Sequence, residues 1–203
     1  QWRSGYSAKE LAECWQRASG FPAEFQRIFS ACAEPALREL ELLLAIPEYA
    51  VDLTDSKRPS QNDLFVLACA RDGQLACIMV EGKVVEPFGE TLEVWLKDAT
   101  AGKRKRLKIL CQILGLRGEP PAHLRYQLFH RTASAILTAK RFNASYAMMI
   151  VHSFSPTHQW FSDYQDFLGL FGAQGKVNEL VELPQIEGRR VFAGWAAGQP
   201  QQG

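Results

Sequence analysis

The 203-residue chain lacks several features that would place it at once. Its longest uninterrupted apolar run, Leu64 to Ala70, falls far short of the roughly 20 residues a membrane-spanning helix needs. The Gln1-Trp2-Arg3-Ser4 start has no apolar signal core. The five cysteines are an odd number and contain no C-x-x-C pair, which argues against a zinc ribbon and a disulfide framework and for a reducing, cytoplasmic compartment. Charge of either sign is not in excess: 23 Lys and Arg against 22 Asp and Glu leave +1, so any polyanionic partner must be met by a local patch. No G-x-G-x-x-G, G-x-S-x-G or H-E-x-x-H occurs, and Gly172 to Lys176 is too short for a phosphate-binding loop. His123, His130, His152 and His158 form no metal-ligand spacing with each other or with cysteine. Dinucleotide oxidoreductases, P-loop kinases, serine hydrolases and zinc proteases are thereby disfavoured.

What is present is a composition with 47% apolar residues, enough for one ordinary domain with its own core. We read residues 1–203 as a single domain: N-terminal helices over 1–47, an α/β core over 48–196, and a tail over 197–203. Ser7-Ala8-Lys9-Glu10 has the form of a capping box before Leu11, Cys14 and Trp15. Pro22 starts a second helix through Phe25, Ile28 and Phe29; Pro35 starts a third, with Leu37, Leu40, Leu43 and Leu44 as its stripe. Residues 52–63 read as a polar loop. Two strand-like runs then flank Asp72-Gly73, a strong hairpin signal. Helices are expected near 91–96, 103–114, 123–142 and 158–171, and strands near 146–151, 179–183 and 190–195. The order predicts a mixed β-sheet flanked by helices.

The chemistry concentrates on the hairpin. Both Asp63 and Glu81 lie about nine positions from its turn, so the two carboxylates converge across it. Glu81 and Lys83 point to the same face because strand side chains alternate. Two carboxylates and the Gly82 carbonyl are oxygen ligands suited to Mg²⁺ or Mn²⁺, which keep waters that can serve as nucleophile. Lys83 beside them can act as base or as electrostatic stabiliser. Asp55-Ser56-Lys57 is a second acid-x-Lys match, but it lies in the polar loop. Glu81 instead ends an apolar strand, where a carboxylate and an ammonium are costly unless paired or put to use. On this footing Glu81→Gln is expected to relieve an acidic pair and leave the fold intact.

Asp63, seventeen intervening residues, then Glu81-Gly82-Lys83 resembles the signature of the PD-(D/E)XK nuclease superfamily, with Asn62 standing where the motif's proline would be. The segments Ser60 to Asp63, Val80 to Val84 with Glu86 to Gly89, Arg125 to Ala135 and Val151 to Ser155 resemble an uncharacterised bacterial branch of it. The resemblance implies a restriction-endonuclease-like core and metal-dependent phosphodiester hydrolysis in DNA. It also allows a catalytically inactive member, serving as a binding or scaffold protein. It implies that Gln127 and Arg131, with His130 beside them, aim at the metal site or the scissile phosphate from the following helix. A further carboxylate, from Glu39, Glu41 or Glu86, would join the site. Lys103, Arg104 and Lys105 open the chain's basic cluster and are the candidate phosphate contacts. A homodimer is left open.

Overall fold

A computed structural model describes residues 6–53 and 59–199. The Asp55-Ser56-Lys57 match and residues 1–4 lie outside the described residues, as does most of the predicted tail. Two amphipathic helices open the chain, α1 (Ser7–Arg17) and α2 (Ala23–Ser30), followed by a single 3₁₀ turn at Pro35–Leu37. Strands β1 (Glu41–Val51), β2 (Ser60–Cys69) and β3 (Leu75–Lys83) come next, then helices α3 (Leu92–Leu96), α4 (Ala101–Ile113) and α5 (Tyr126–Arg141). The chain closes with β4 (Tyr146–Ser153), α6 (Phe161–Gly169), β5 (Glu179–Ile186) and β6 (Arg189–Ala197). The six strands form one mixed sheet in the order β1-β2-β3-β4-β6-β5, with β3, β4 and β6 parallel and the other neighbours antiparallel. The expected α/β architecture is the one observed.

Three readings change. The third N-terminal helix does not form, because Glu41 to Val51 pairs along β2 instead. A run such as Leu-Leu-Leu-Ala-Ile satisfies a helical stripe and a strand equally, and the partner strand decides. A bulge between Leu42 and Leu44 turns Leu43 out to solvent, and Pro47 sits on this edge strand, where a missing N–H is tolerated. The core therefore starts before residue 48. Ser60 to Asp63 belongs to β2, not to a loop. And Ser7 is the first helical residue of α1, not its cap: its N–H donates to Glu86 Oε1 at 3.0 Å, so the cap comes from a distant side chain.

Alternation along the strands builds two cores. Phe65, Met79, Met149, Val151 and Trp195 face α5 and its neighbours, whereas Val66, Ile78, Val80, Met148 and Ile150 face the Phe25, Ile28 and Phe29 side of the N-terminal helices. The hairpin turns at Asp72-Gly73 as expected: Gly73 has φ 80°, which costs glycine nothing, and its N–H donates to the Ala70 carbonyl at 2.8 Å. All of β4 is buried, as befits a central strand with helices on both faces. Helix α5 is buried along most of its length, with Ala133, Ala135 and Ala139 letting its backbone come close to the sheet. Any polar side chain on its inner face must consequently find a partner there.

Candidate active site

The sheet forks where the predicted site lies. The β2–β3 ladder runs from Cys69↔Leu75 to Leu64↔Val80 and stops. Beyond that point β2 stays with β1 down to Ser60, and β3 stays with β4 out to Lys83. Asp63 and Glu81 flank the opening. In place of a ladder bond, the Gly82 N–H donates to Asp63 Oδ2 at 2.9 Å. On the other face a Cβ at Gly82 would stand 3.2 Å from Ser7 Cβ, an approach that α1 would have to yield to by a few tenths of an ångström. The Gly82 group seen engaging Asp63 is its N–H, whereas the sequence reading singled out its carbonyl.

Helix α5 closes the fork from above. Gln127 Nε2 donates to Glu81 Oε1 at 2.6 Å, and Lys83 Nζ donates to the same oxygen at 2.5 Å. Arg131 Nε donates to Glu81 Oε2, and its Nη2 reaches Asp63 Oδ1 at 3.2 Å. The guanidinium thus bridges the two carboxylates. Lys83 also lies 5.1 Å from the centre of the Phe88 ring. Glu81, Lys83 and Arg131 are almost fully buried, while the Asp63 side chain keeps 27% of its surface exposed and marks the mouth.

Burial alone would raise the Glu81 carboxyl, but Arg131 and Lys83 outweigh it and hold Glu81 below the usual carboxylate range. Asp63 goes the other way, pushed up to about 7 by its surroundings and by the Glu81 charge, against the pull of Arg131 and Lys83. The two acids of the pair are therefore unlike: one held toward its ionised form by two cations, one poised to gain or lose a proton near neutrality.

His130 sits one turn from Gln127 but bonds elsewhere. Its Nδ1 is 2.7 Å from Ser60 Oγ, and its ring lies 5.1 Å from that of Tyr126. Burial, with Arg131, Arg106 and Lys83 nearby, keeps it neutral, well below the ordinary histidine range. The further carboxylates do not join the pair. Glu39 is exposed and 3.9 Å from the equally exposed Arg71, and Glu41 is exposed at the start of β1. Glu86 gives one oxygen to the Ser7 N–H and the other to the N–H groups of Val84 and Val85. On α4, Lys103 folds back to donate to the Trp95 carbonyl at 3.0 Å and covers the Trp95 ring. Arg104 and Lys105 are exposed, and Arg106 Nε donates to Tyr126 Oη at 2.7 Å.

Two buried polar atoms in the site have no hydrogen-bond partner among the described residues: Gln127 Oε1 and Arg131 Nη1. Because the Glu81 carboxylate only accepts, the Gln127 amide must turn its NH₂ to it, which leaves Oε1 free. Orphans of this kind are rare in folded proteins and call for an account. An acceptor and a cationic donor beside two carboxylates fit a hydrated divalent cation and an anionic oxygen. The donor set suits a hard cation, on condition that the Arg131 guanidinium gives up its bridge.

Over residues 1–200 the chain matches the family model described as Domain of unknown function (DUF6946). It belongs to that family. No curated protein and no solved structure matches the chain.

Sequence reasoning missed a second cluster, on the opposite face of the sheet. Cys14 Sγ, Glu24 Oε1 and His152 Nε2 lie within 4.8 Å of one another, a juxtaposition that no spacing in the sequence reveals. The one signal was a histidine inside the otherwise apolar β4. His152 Nε2 is 2.8 Å from Glu24 Oε1, Cys14 Sγ donates to the same oxygen at 3.4 Å, and Trp15 Nε1 is 3.3 Å from His152 Nδ1. An indole N–H only donates, so Nδ1 accepts and Nε2 carries the proton that goes to Glu24. A metal on Nε2 would force that proton to Nδ1, face to face with the indole N–H. The cluster is thus a hydrogen-bond chain tying α1 and α2 to β4.

Proposed function

We propose that this chain is a metal-dependent nuclease hydrolysing phosphodiester bonds in DNA, with Mg²⁺ or Mn²⁺ held by Asp63 and Glu81. The observation that carries the proposal is the convergence of Asp63, Glu81, Lys83 and Gln127 at a fork in the sheet, at the C-terminal end of β3. The order of helix, three antiparallel strands, helix and parallel strand supports the resemblance to the restriction-endonuclease-like core. A divalent cation held there would supply a bound water of lowered pKa and polarise a phosphoryl oxygen. Gln127 orients the Glu81 carboxylate through its NH₂ and turns Oε1 toward the opening. Lys83, paired with Glu81, is placed to stabilise charge as the water oxygen bonds to phosphorus and the P–O ester bond breaks, the proton released by the water ending, through solvent, on the departing oxygen. Exposed Arg104 and Lys105 on α4 are the phosphate contacts remote from the cut, and five free cysteines support a cytoplasmic location.

The test is hydrolysis of single- and double-stranded DNA with Mg²⁺ or Mn²⁺, with the metal measured separately by calorimetry. Wild type should bind Mn²⁺ and cut; Lys83→Met should retain the metal and lose roughly 10²-fold or more in rate. A second reading, a non-catalytic binding module on the same fold, is favoured by the Arg131 bridge, which leaves the two carboxylates and two cations balanced. Wild type without Mn²⁺ affinity and without cleavage of either DNA form would overturn the nuclease reading and leave the four residues a structural cluster.

A further inference from the structure

The Arg131 guanidinium occupies the place between Asp63 and Glu81 that a bridging cation needs, and yet it is only partly satisfied there. Nε and Nη2 are each given to one carboxylate, while Nη1 is buried with no partner among the described residues. Its arm to Asp63 is the one at the exposed mouth of the fork, and the Asp63 bond, at 3.2 Å, is the looser of the two. With both acids ionised the charges within the fork cancel, so a metal's two positive charges meet no net attraction there while both cations stay on the acids. Lys83 and Arg131 are about equally buried, 4% and 6% exposed, but Lys83 bonds Glu81 alone and is set against Phe88, away from Asp63. Arg131, reaching the mouth by a long side chain from α5, is the cation able to leave.

We infer that Arg131 is an exchangeable counter-ion, which holds the acid pair in the metal-free chain, yields it to a divalent cation, and then turns its guanidinium to the phosphodiester. The last step rests on the nuclease reading; the exchange itself rests on the geometry alone. Arginine suits both duties, since its planar fork fits a pair of carboxylate oxygens and a pair of phosphate oxygens equally. Metal-free chain is thereby kept from exposing an uncompensated acid pair, and a phosphate is gripped only once the cation is in place.

The exchange is tested by Mn²⁺ calorimetry and thermal melting on wild type, Arg131→Met and Arg131→Lys. Removing the competing cation should tighten Mn²⁺ binding by at least about tenfold in Arg131→Met, with a smaller gain in Arg131→Lys, whose single ammonium cannot span both acids. Without metal the Met variant should melt lower than wild type, and Mn²⁺ should raise its melting temperature more. A Met variant that binds Mn²⁺ no better than wild type overturns the exchange. Should that variant fail to fold, the wild type still decides: the Nε–H NMR signal of Arg131 should be exchange-protected without metal and shift on adding Mg²⁺. An unmoved signal at saturating Mg²⁺ refutes the idea. The two readings separate cleanly. Tight Mn²⁺ binding by Arg131→Met with no DNA cleavage by wild type keeps the exchange and removes the nuclease. Wild-type cleavage with an equally fast Arg131→Met variant removes the phosphate step.

Discussion

Gly82 and His152 are register partners on β3 and β4, so the two polar clusters of this protein stand back to back across the same stretch of sheet. Beneath α5, Asp63, Glu81, Lys83 and Arg131 put four charges into a fork and leave Gln127 Oε1 and Arg131 Nη1 without partners. Beneath α1 and α2, Trp15, His152, Glu24 and Cys14 form a chain in which each member bonds the next. The first arrangement keeps bonding capacity in reserve, whereas the second spends its capacity on joining helices to a strand. Burial of polar groups alone does not mark a functional site. Unused valence alone does not either, since Tyr164 Oη and Trp195 Nε1 are also unpartnered in the apolar core; it is unused valence beside a converging acid pair at an opening in the sheet that places the chemistry under α5.

The largest effect expected from breaking this contrast is at Glu81. Sequence alone suggests that Glu81→Gln relieves an acidic pair, but the carboxylate neutralises two buried cations, so the substitution strands Lys83 and Arg131 with Asp63 as their remaining anion. Breaking a buried charge network from one side costs about 3–5 kcal/mol. Urea unfolding of Glu81→Gln should show a loss of that order together with lost Mn²⁺ affinity. A variant as stable as wild type would mean that the four-charge network is not held as described. On the other face, Glu24→Gln should cost less, because no full cation loses its partner.

Asp63 on one face and the Glu24–His152 pair on the other should respond to acid in opposite directions. Asp63, raised from 3.8 to about 7, binds its proton more readily folded than unfolded. Stability from this group therefore rises as pH falls from about 7 to 3.8, and Asp63→Asn should remove that rise. Its partial exposure keeps the effect modest. Glu24 is lowered from 4.5 to about 2: burial opposes its charge, but the His152 bond prevails. His152 is lowered from 6.5, chiefly by burial and against the pull of Glu24. Both release protons on folding, so their contribution is intact above about pH 6.5 and declines below it, the Glu24 part going between 4.5 and 2. Melting temperatures of wild type, Asp63→Asn and Glu24→Gln across pH 3 to 8 resolve the two slopes. Slopes of the same sign in both variants would contradict the assignment.

Much of the front face was legible because its information is local. The Asp72-Gly73 turn and strand alternation suffice to bring Asp63, Glu81 and Lys83 together, and helical spacing puts Gln127 and Arg131 on one stripe of α5. What sequence did not reveal depends on separations it does not encode. That Arg131 bridges both acids requires the fork between β2 and β3, which is a property of where pairing stops. That Glu86 caps α1 requires a contact across 79 positions. The β1 error has the same origin, since Leu40 to Ile46 fits either period until β2 supplies a partner. Likewise Cys14, Glu24 and His152 come from three elements with no common motif.

The smallest effect we expect tests the proton on His152. Trp15→Phe leaves an aromatic ring, smaller than the indole, to pack against Phe25 and Phe21 but deletes the N–H donated to His152 Nδ1. Losing one such bond should cost about 1 kcal/mol. Wild type with Co²⁺ should show no thiolate-to-metal absorption, because Trp15 holds the Nε2 proton in the way. Phe at position 15 removes that obstacle and leaves the sulfur, the carboxylate and a free choice of tautomer. The thiol itself, pushed up to about 12 mainly by burial and by Glu24, resists ionising and sets a second barrier. Comparing Trp15→Phe with the Trp15→Phe, Cys14→Ser double variant separates the two. A band that appears in the first and vanishes in the second assigns the block to the indole; a band already present in wild type would show that the hydrogen-bond chain is a metal site after all.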